Sequence, residues 1–116
     1  MVLKFKPLSV NKAWQGKRFK TPEYKSYENV LLTLIKIQKP IKVSGLVEVY
    51  YKFYIKEFSR SDVGNFEKPL TDIIVKAGLI DDDRYIVKTT LEKFKSDNNY
   101  IEIYVSPYIL RTSRKR

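Results

Sequence analysis

The sequence contains no cysteine and no histidine. Their absence removes disulfides, thiol nucleophiles, imidazole bases and every zinc site built from Cys and His. Any metal this chain holds must therefore sit among carboxylate, carbonyl and water oxygens, which suits Mg²⁺, Mn²⁺ or Ca²⁺. Long apolar runs are missing as well: the longest, Val30 to Ile37, is interrupted by Thr33 and Lys36 and is too short to span a bilayer. The opening residues alternate, Leu3, Lys4, Phe5, Lys6, rather than forming the apolar stretch that export requires, so the cytoplasm is the expected location and no membrane partner is expected. Acidic residues are in deficit too. Lys plus Arg number 23 against 13 Asp plus Glu, a formal charge of +10, and a field of that sign gathers polyanions, with nucleic acid foremost.

What is present is enough for a folded core. With 116 residues, 43% hydrophobic and 14% aromatic, the chain reads as one domain burying roughly 65% of its unfolded surface. The domain is expected over residues 1–110, with 111–116 as a basic tail carrying Arg111, Arg114, Lys115 and Arg116.

Local patterns predict the order β, α, β, α, β, β. Val2 to Lys6 alternates as a short strand, ended by Pro7, and Pro7 to Lys20 reads as a basic loop. Thr21-Pro22-Glu23 is a helix start with a hydroxyl cap, proline at the first position and an acid against the dipole. Tyr24, Tyr27, Leu31, Leu34 and Gln38, with Ile35 beside them, then mark one face of a helix from about Pro22 to Gln38, closed by Pro40. Gly45 opens a strand with Val47, Val49, Tyr51, Phe53 and Ile55 on one face. Phe66, Leu70, Ile73, Ile74 and Ala77 recur at helical spacing up to Gly78, and Pro69, placed in the first turn, sets the start near Asn65. Tyr85 to Phe94 and Tyr100 to Val105 read as strands joined by a polar loop of hairpin length. The predicted fold is α+β, two helices packed on one mixed four-stranded sheet.

Two acidic places flank the second helix, Asp62 before it and Asp81, Asp82 and Asp83 after its glycine. Asp62 has a structural use as a helix cap, and an acidic turn is often only solvated. The helix is roughly 20 Å long, so its two ends meet only if the chain after Leu79 doubles back beside it. Asn65, Lys68, Asp72 and Lys76 share a separate helix face, which also reads as an ordinary solvated stripe. In the Pro7–Lys20 loop, Lys12, Lys17, Arg18 and Lys20 are interleaved with Trp14 and Phe19, a composition suited to phosphates and unstacked bases.

The run Ser59-Arg60-Ser61-Asp62-Val63-Gly64-Asn65-Phe66-Glu67-Lys68-Pro69, then Asp72, Lys76-Ala77-Gly78 and Asp81-Asp82, resembles the centre of the RusA family of Holliday-junction resolvases. Pro7-Leu8-Ser9-Val10-Asn11-Lys12, with Tyr24-Lys25 further on, is similar to the family's first loop. The resemblance implies a homodimer that binds a four-way DNA junction and makes paired nicks with Mg²⁺, or Mn²⁺ in its place, and no small-molecule substrate. It implies Asp62, Lys68 and Asp82 as catalytic, with Asp62 and Asp82 as the metal's ligands; Asp81, beside Asp82, is the expected further ligand. Asn11, Lys12, Lys17, Arg18, Arg60, Asn65 and Lys68 are the expected DNA contacts, from the first loop and from the neighbourhood of Asp62. In that chemistry the metal lowers the pKa of a bound water, and the lysine stabilises charge developing on the phosphate.

One position departs from the family's D-x-D-N: Gly64 stands where the second carboxylate is expected. A neighbouring acid (Asp81, Asp83 or Asp72) replaces it, or water fills its place, or the protein binds junctions with weak or no cutting. A basic RNA-binding module is a further alternative, motivated by charge and aromatic content.

Overall fold

A computed structural model describes residues 1–15 and 19–110; the expected contacts of Lys17 and Arg18 and the basic tail lie outside the described residues. The elements are β1 (Val2–Leu3), α1 (Val10–Ala13), β2 (Trp14–Gln15), β3 (Phe19–Lys20), α2 (Pro22–Gln38), β4 (Val47–Ile55), α3 (Gly64–Lys76), β5 (Ile86–Lys95) and β6 (Tyr100–Pro107). Four strands form a mixed sheet in the order β1-β6-β4-β5, with β4 parallel to β5 and antiparallel to β6. The fold is the predicted α+β sheet with helices.

β4 is the spine because its alternation suits a half-covered sheet. Val47, Val49, Tyr51, Phe53 and Ile55 are all buried, while the residues between them are only partly so. The helices cover the buried side. Phe53 packs on Phe66 of α3 with ring centroids 5.2 Å apart, and Tyr51 exchanges a 2.8 Å hydroxyl hydrogen bond with Thr71. Tyr24, Tyr27, Leu31 and Ile35 of α2 complete the same core with Leu70, Ile73 and Ile74. The buried stripe of α2 is thus the predicted one with Ile35 included, while Leu34 is half-buried and Gln38 exposed.

Both helix starts follow local rules, with one adjustment. The Thr21 hydroxyl accepts the Tyr24 N–H at 3.1 Å and Pro22 begins α2. α2 ends at Lys39, which takes a left-handed conformation (φ 48) ahead of Pro40, a residue that disfavours helix in the one before it. α3 starts one residue earlier than predicted, so Pro69 falls in the second turn, not the first, and no N–H at 69 reaches back to the Asn65 carbonyl. Gly78 closes α3 with φ 78, where a Cβ would be strained, while the Leu79 N–H bonds the Ile74 carbonyl at 3.0 Å.

Three other expectations are corrected. β1 is only two residues long: the Phe5 N–H turns back to the Leu3 carbonyl at 2.8 Å, which takes the chain off β6 before Lys6. The Pro7–Lys20 segment is not structureless, since it holds α1 and the small β2–β3 ribbon, anchored where Thr21 donates its N–H to the Ala13 carbonyl and its hydroxyl to that of Lys12. Elements this short carry no readable period. Finally, β5 and β6 are not a hairpin. They flank β4, and the loop between them crosses its end, with the Ser96 N–H on the Ile55 carbonyl and the Lys56 N–H on Asn99 Oδ1. Loop length alone allows a turn between neighbours or a step over one strand; the apolar register of β4 selects the step.

Candidate active site and DNA interface

α3 leaves the C-terminal end of β4 through a 3-10 turn at Phe58–Arg60, and this turn places Arg60 and Asp62 at the mouth of a cavity of about 660 Å³. The opposite wall is the N-terminal loop. Asn11, Lys12, Arg60, Asp62 and Asn65 all line this one space, together with Lys6, Lys56 and Asn99. Five of the residues singled out in the sequence therefore meet there, brought together from segments about fifty residues apart by the packing of α1 on α3. The cavity's lining carries the cations Lys6, Lys12, Lys56 and Arg60 and the carboxylates Glu23, Glu57 and the exposed Asp62.

Asp62 is held by its own backbone. Its Oδ1 accepts the Gly64 N–H at 3.1 Å and its carbonyl accepts the Asn65 N–H at 3.0 Å, so it performs the capping task and still faces the cavity. A Cβ built on Gly64 would lie 3.4 Å from Asp62 Oδ1, ordinary contact, and Gly64 is helical, so the backbone at 64 accepts a side chain. The Arg60–Asp62 loop is tied to the sheet by Lys93. Its ammonium donates to the carbonyls of Phe58 and Ser61 at 2.7 and 2.8 Å and lies 4.5 Å from the Phe58 ring centroid. Lys93 has no recognisable sequence signal, since a lysine in a strand is most often a solvated charge.

At the other end of α3 the acidic turn divides its duties. Asp81 turns to Lys42 (2.8 Å) and to the Gly45 N–H (2.8 Å), and these two hydrogen bonds hold its carboxyl below the usual range. It pins the chain beside the start of β4. Asp82 caps the following 3-10 turn, accepting the Asp83 N–H at 2.7 Å, and sits 3.7 Å from Arg84. Asp83 is the member that reaches α3, with its Oδ2 3.7 Å from Lys68 Nζ. Lys68 also donates to Asp72 at 2.9 Å, and the hydrogen bond and charge of Asp72, then the charge of Asp83, keep its ammonium above the usual lysine value against a smaller opposing effect of burial. The turn packs back against α3, a path the sequence allowed but did not require, and it does so through Asp83 and Lys68, not at Asp62. Asp62 lines the cavity at the helix start, and Asp81, Asp82 and Asp83 do not line it.

The donor set has the chemistry of a hard cation, oxygen throughout, yet the described residues bring no three acidic side chains together at one metal-sized point. Asp62, ahead of α3, and the Lys68–Asp72–Asp83 group along it stand as two separate acidic places.

A third polar group joins the basic ribbon to the helices. Glu28 of α2 is buried and accepts from Lys20 of β3 at 3.1 Å and Lys76 of α3 at 3.0 Å. Burial pushes its carboxyl up, but the hydrogen bonds from Lys76 and Lys20 outweigh it, and the net shift is downward. Burial and the negative charge of Glu28 in turn raise the Tyr24 phenol above its ordinary value, and Lys20 lies 5.0 Å from the Tyr24 ring centroid. No helix among the described residues is long and apolar enough to cross a membrane.

A family model described as endodeoxyribonuclease RusA matches residues 6–106, from the N-terminal loop through nearly the end of β6, and so takes in the cavity, α3 and the acidic turn. No curated protein matches the chain. The match covers most of the sequence and the whole of the candidate site, and on it the chain belongs to the RusA family of Holliday-junction endodeoxyribonucleases.

Proposed function

We propose that this protein resolves four-way DNA junctions by divalent-metal-dependent paired nicking, acting as a homodimer. The observation that carries the reading is the cavity in which Asn11, Lys12, Arg60, Asp62 and Asn65 meet. Cations on its rim would bind phosphates without regard to sequence, as a structure-selective enzyme requires, while the two asparagine amides offer hydrogen bonds that orient the strand. Asp62 shares that cavity with Glu23 and Glu57, and its Oδ1 is held by the Gly64 N–H at the start of α3, which would keep it aimed at the bound backbone. Lys68, further along α3, does not line the cavity and is paired with Asp72 and Asp83, so it would have to turn from those partners to meet developing negative charge. Metal dependence rests on the residue inventory: with no histidine or cysteine, carboxylates are the side chains left to hold an ion, and Mg²⁺ or Mn²⁺ is the ion they favour.

The test is a gel assay of the purified protein on an end-labelled four-way junction with Mg²⁺, with Mn²⁺ and with chelator. Symmetric nicks in both divalent arms, absent with chelator and on Asp62→Asn, are expected. Equal cutting of linear duplex would make the protein a general nuclease.

A second reading is favoured by Gly64 and by the absence of three convergent acids among the described residues: tight junction binding with weak or no nicking. It predicts a salt-sensitive junction complex without cleavage, and cleavage gained in Gly64→Asp.

A further inference from the structure

The two edges of the sheet differ. On one side β1 is two residues long, too short to template another strand. On the other, β5 is a ten-residue edge strand without proline or glycine, and no described strand pairs with its outer side. Its one irregularity lies at the start, where the register with β4 shifts between Val47 and Glu48; from Lys88 to Lys95 it is regular. The stretch 87–90 is exposed, Val87 at 43%. A long regular edge of β-branched residues is a surface for adding a strand.

The sequence of that edge says which strand. Lys88 and Glu92 point to the same side of the sheet, two positions on either side of Thr90, and neither makes an ion pair among the described residues. Glu92 accepts the Tyr50 hydroxyl, and Lys88 is exposed. If a second copy of β5 runs antiparallel to the first about a two-fold axis at Thr90, Lys88 faces the partner's Glu92, and Glu92 faces the partner's Lys88. On the other side Leu91 faces the partner's Thr89. Moving the axis to Lys88 or to Glu92 places like charges directly opposite, which disfavours those registers. The pattern is self-complementary about Thr90. Edge pairing supplies main-chain hydrogen bonds and brings these matched charges together.

We propose that β5 is the dimer interface: two copies join edge to edge through antiparallel β5 strands, centred on Thr90, into one continuous eight-stranded sheet. This rests on the homodimer of the proposed function only in requiring two copies, and it stands whether or not the protein cuts DNA. It also ties the interface to the site, since the same strand carries Lys93, which holds the Arg60–Asp62 loop.

The test is sedimentation equilibrium of the wild type, Lys88→Glu, Glu92→Lys, an equimolar mixture of the two, and the double variant, with circular dichroism and melting to establish that each is folded. Each single variant turns both cross-strand attractions into repulsions and is expected to weaken the dimer at least tenfold. In the mixture, a copy carrying Lys88→Glu meets a copy carrying Glu92→Lys, opposite charges face each other at both contacts, and the dimer is restored. The double variant restores it as well, with the two charges exchanged. A wild type that stays monomeric overturns both this interface and the dimer reading. A wild-type dimer that the single variants leave intact, or that mixing them fails to restore, overturns the interface alone. Should Glu92→Lys unfold through loss of the Tyr50 contact, Lys88→Glu mixed with wild type is the second measurement, and a mixed species no stronger than the Lys88→Glu homodimer overturns the proposal.

Discussion

Replacing Glu28 with glutamine removes one charge and almost no volume from the junction of α2, α3 and the β2–β3 ribbon. In the wild type each carboxylate oxygen takes one ammonium, Lys20 at 3.1 Å and Lys76 at 3.0 Å. The Glu28 side chain is only 10% exposed, but the lysines are 35% and 55% exposed. Fully desolvated charged hydrogen bonds contribute about 1.5–3 kcal/mol each, and solvent screening at the lysine ends brings these nearer to about 1 kcal/mol each. The glutamine variant keeps one acceptor for one lysine and turns an amide NH₂ toward the other. A loss of about 1–2 kcal/mol follows, or roughly 4–8 °C in Tm for a chain of this size.

The pH dependence gives the sharper check. Glu28 is held below its ordinary value in the folded state, so on acidification the unfolded chain takes up its proton first. The stabilisation is therefore complete above the usual glutamate range and is lost as pH falls through the lower folded value. Urea unfolding of wild type and variant across pH 7 to about pH 3 should show curves that converge at the acid end. Equal stability at neutral pH, or a gap that widens on acidification, would refute the assignment of the two lysines as the dominant partners.

Asp62→Asn should abolish junction nicking while retaining most junction affinity, read by gel shift beside the cleavage assay, because the cavity's cations remain. Gly64→Asp should fold normally and raise metal-dependent nicking, since its Cβ meets Asp62 only at contact distance; a large drop in Tm would count against that fit. Asp83→Asn should lower nicking more than Asp81→Asn, whereas Asp81→Asn should lower stability more, by about 1 kcal/mol in denaturant unfolding, because Asp81 is occupied with Lys42 and the Gly45 N–H. Leu70→Ala, at a fully buried position between α3 and the sheet, should cost about 2–5 kcal/mol.

Much of this molecule was legible in the chain itself. The missing histidine and cysteine confined its chemistry, Thr21-Pro22 and Gly78 marked helix ends, and the alternation from Val47 to Ile55 marked the central strand, because caps and periodicity are properties of neighbouring residues. Asp62, Asn65 and Arg60 could be singled out for the same reason, as a compact motif on one turn of chain. What the tertiary structure alone decided is which distant pieces are neighbours. Strand order put β4 between β5 and β6, packing set Asn11 and Lys12 across a cavity from Asp62, and the path after Gly78 gave Lys68 to Asp83 while turning Asp81 to Lys42. Three consecutive aspartates are chemically identical in sequence; only the direction in which each Cα–Cβ bond leaves a folded turn distinguishes an anchor, a cap and a partner for the lysine.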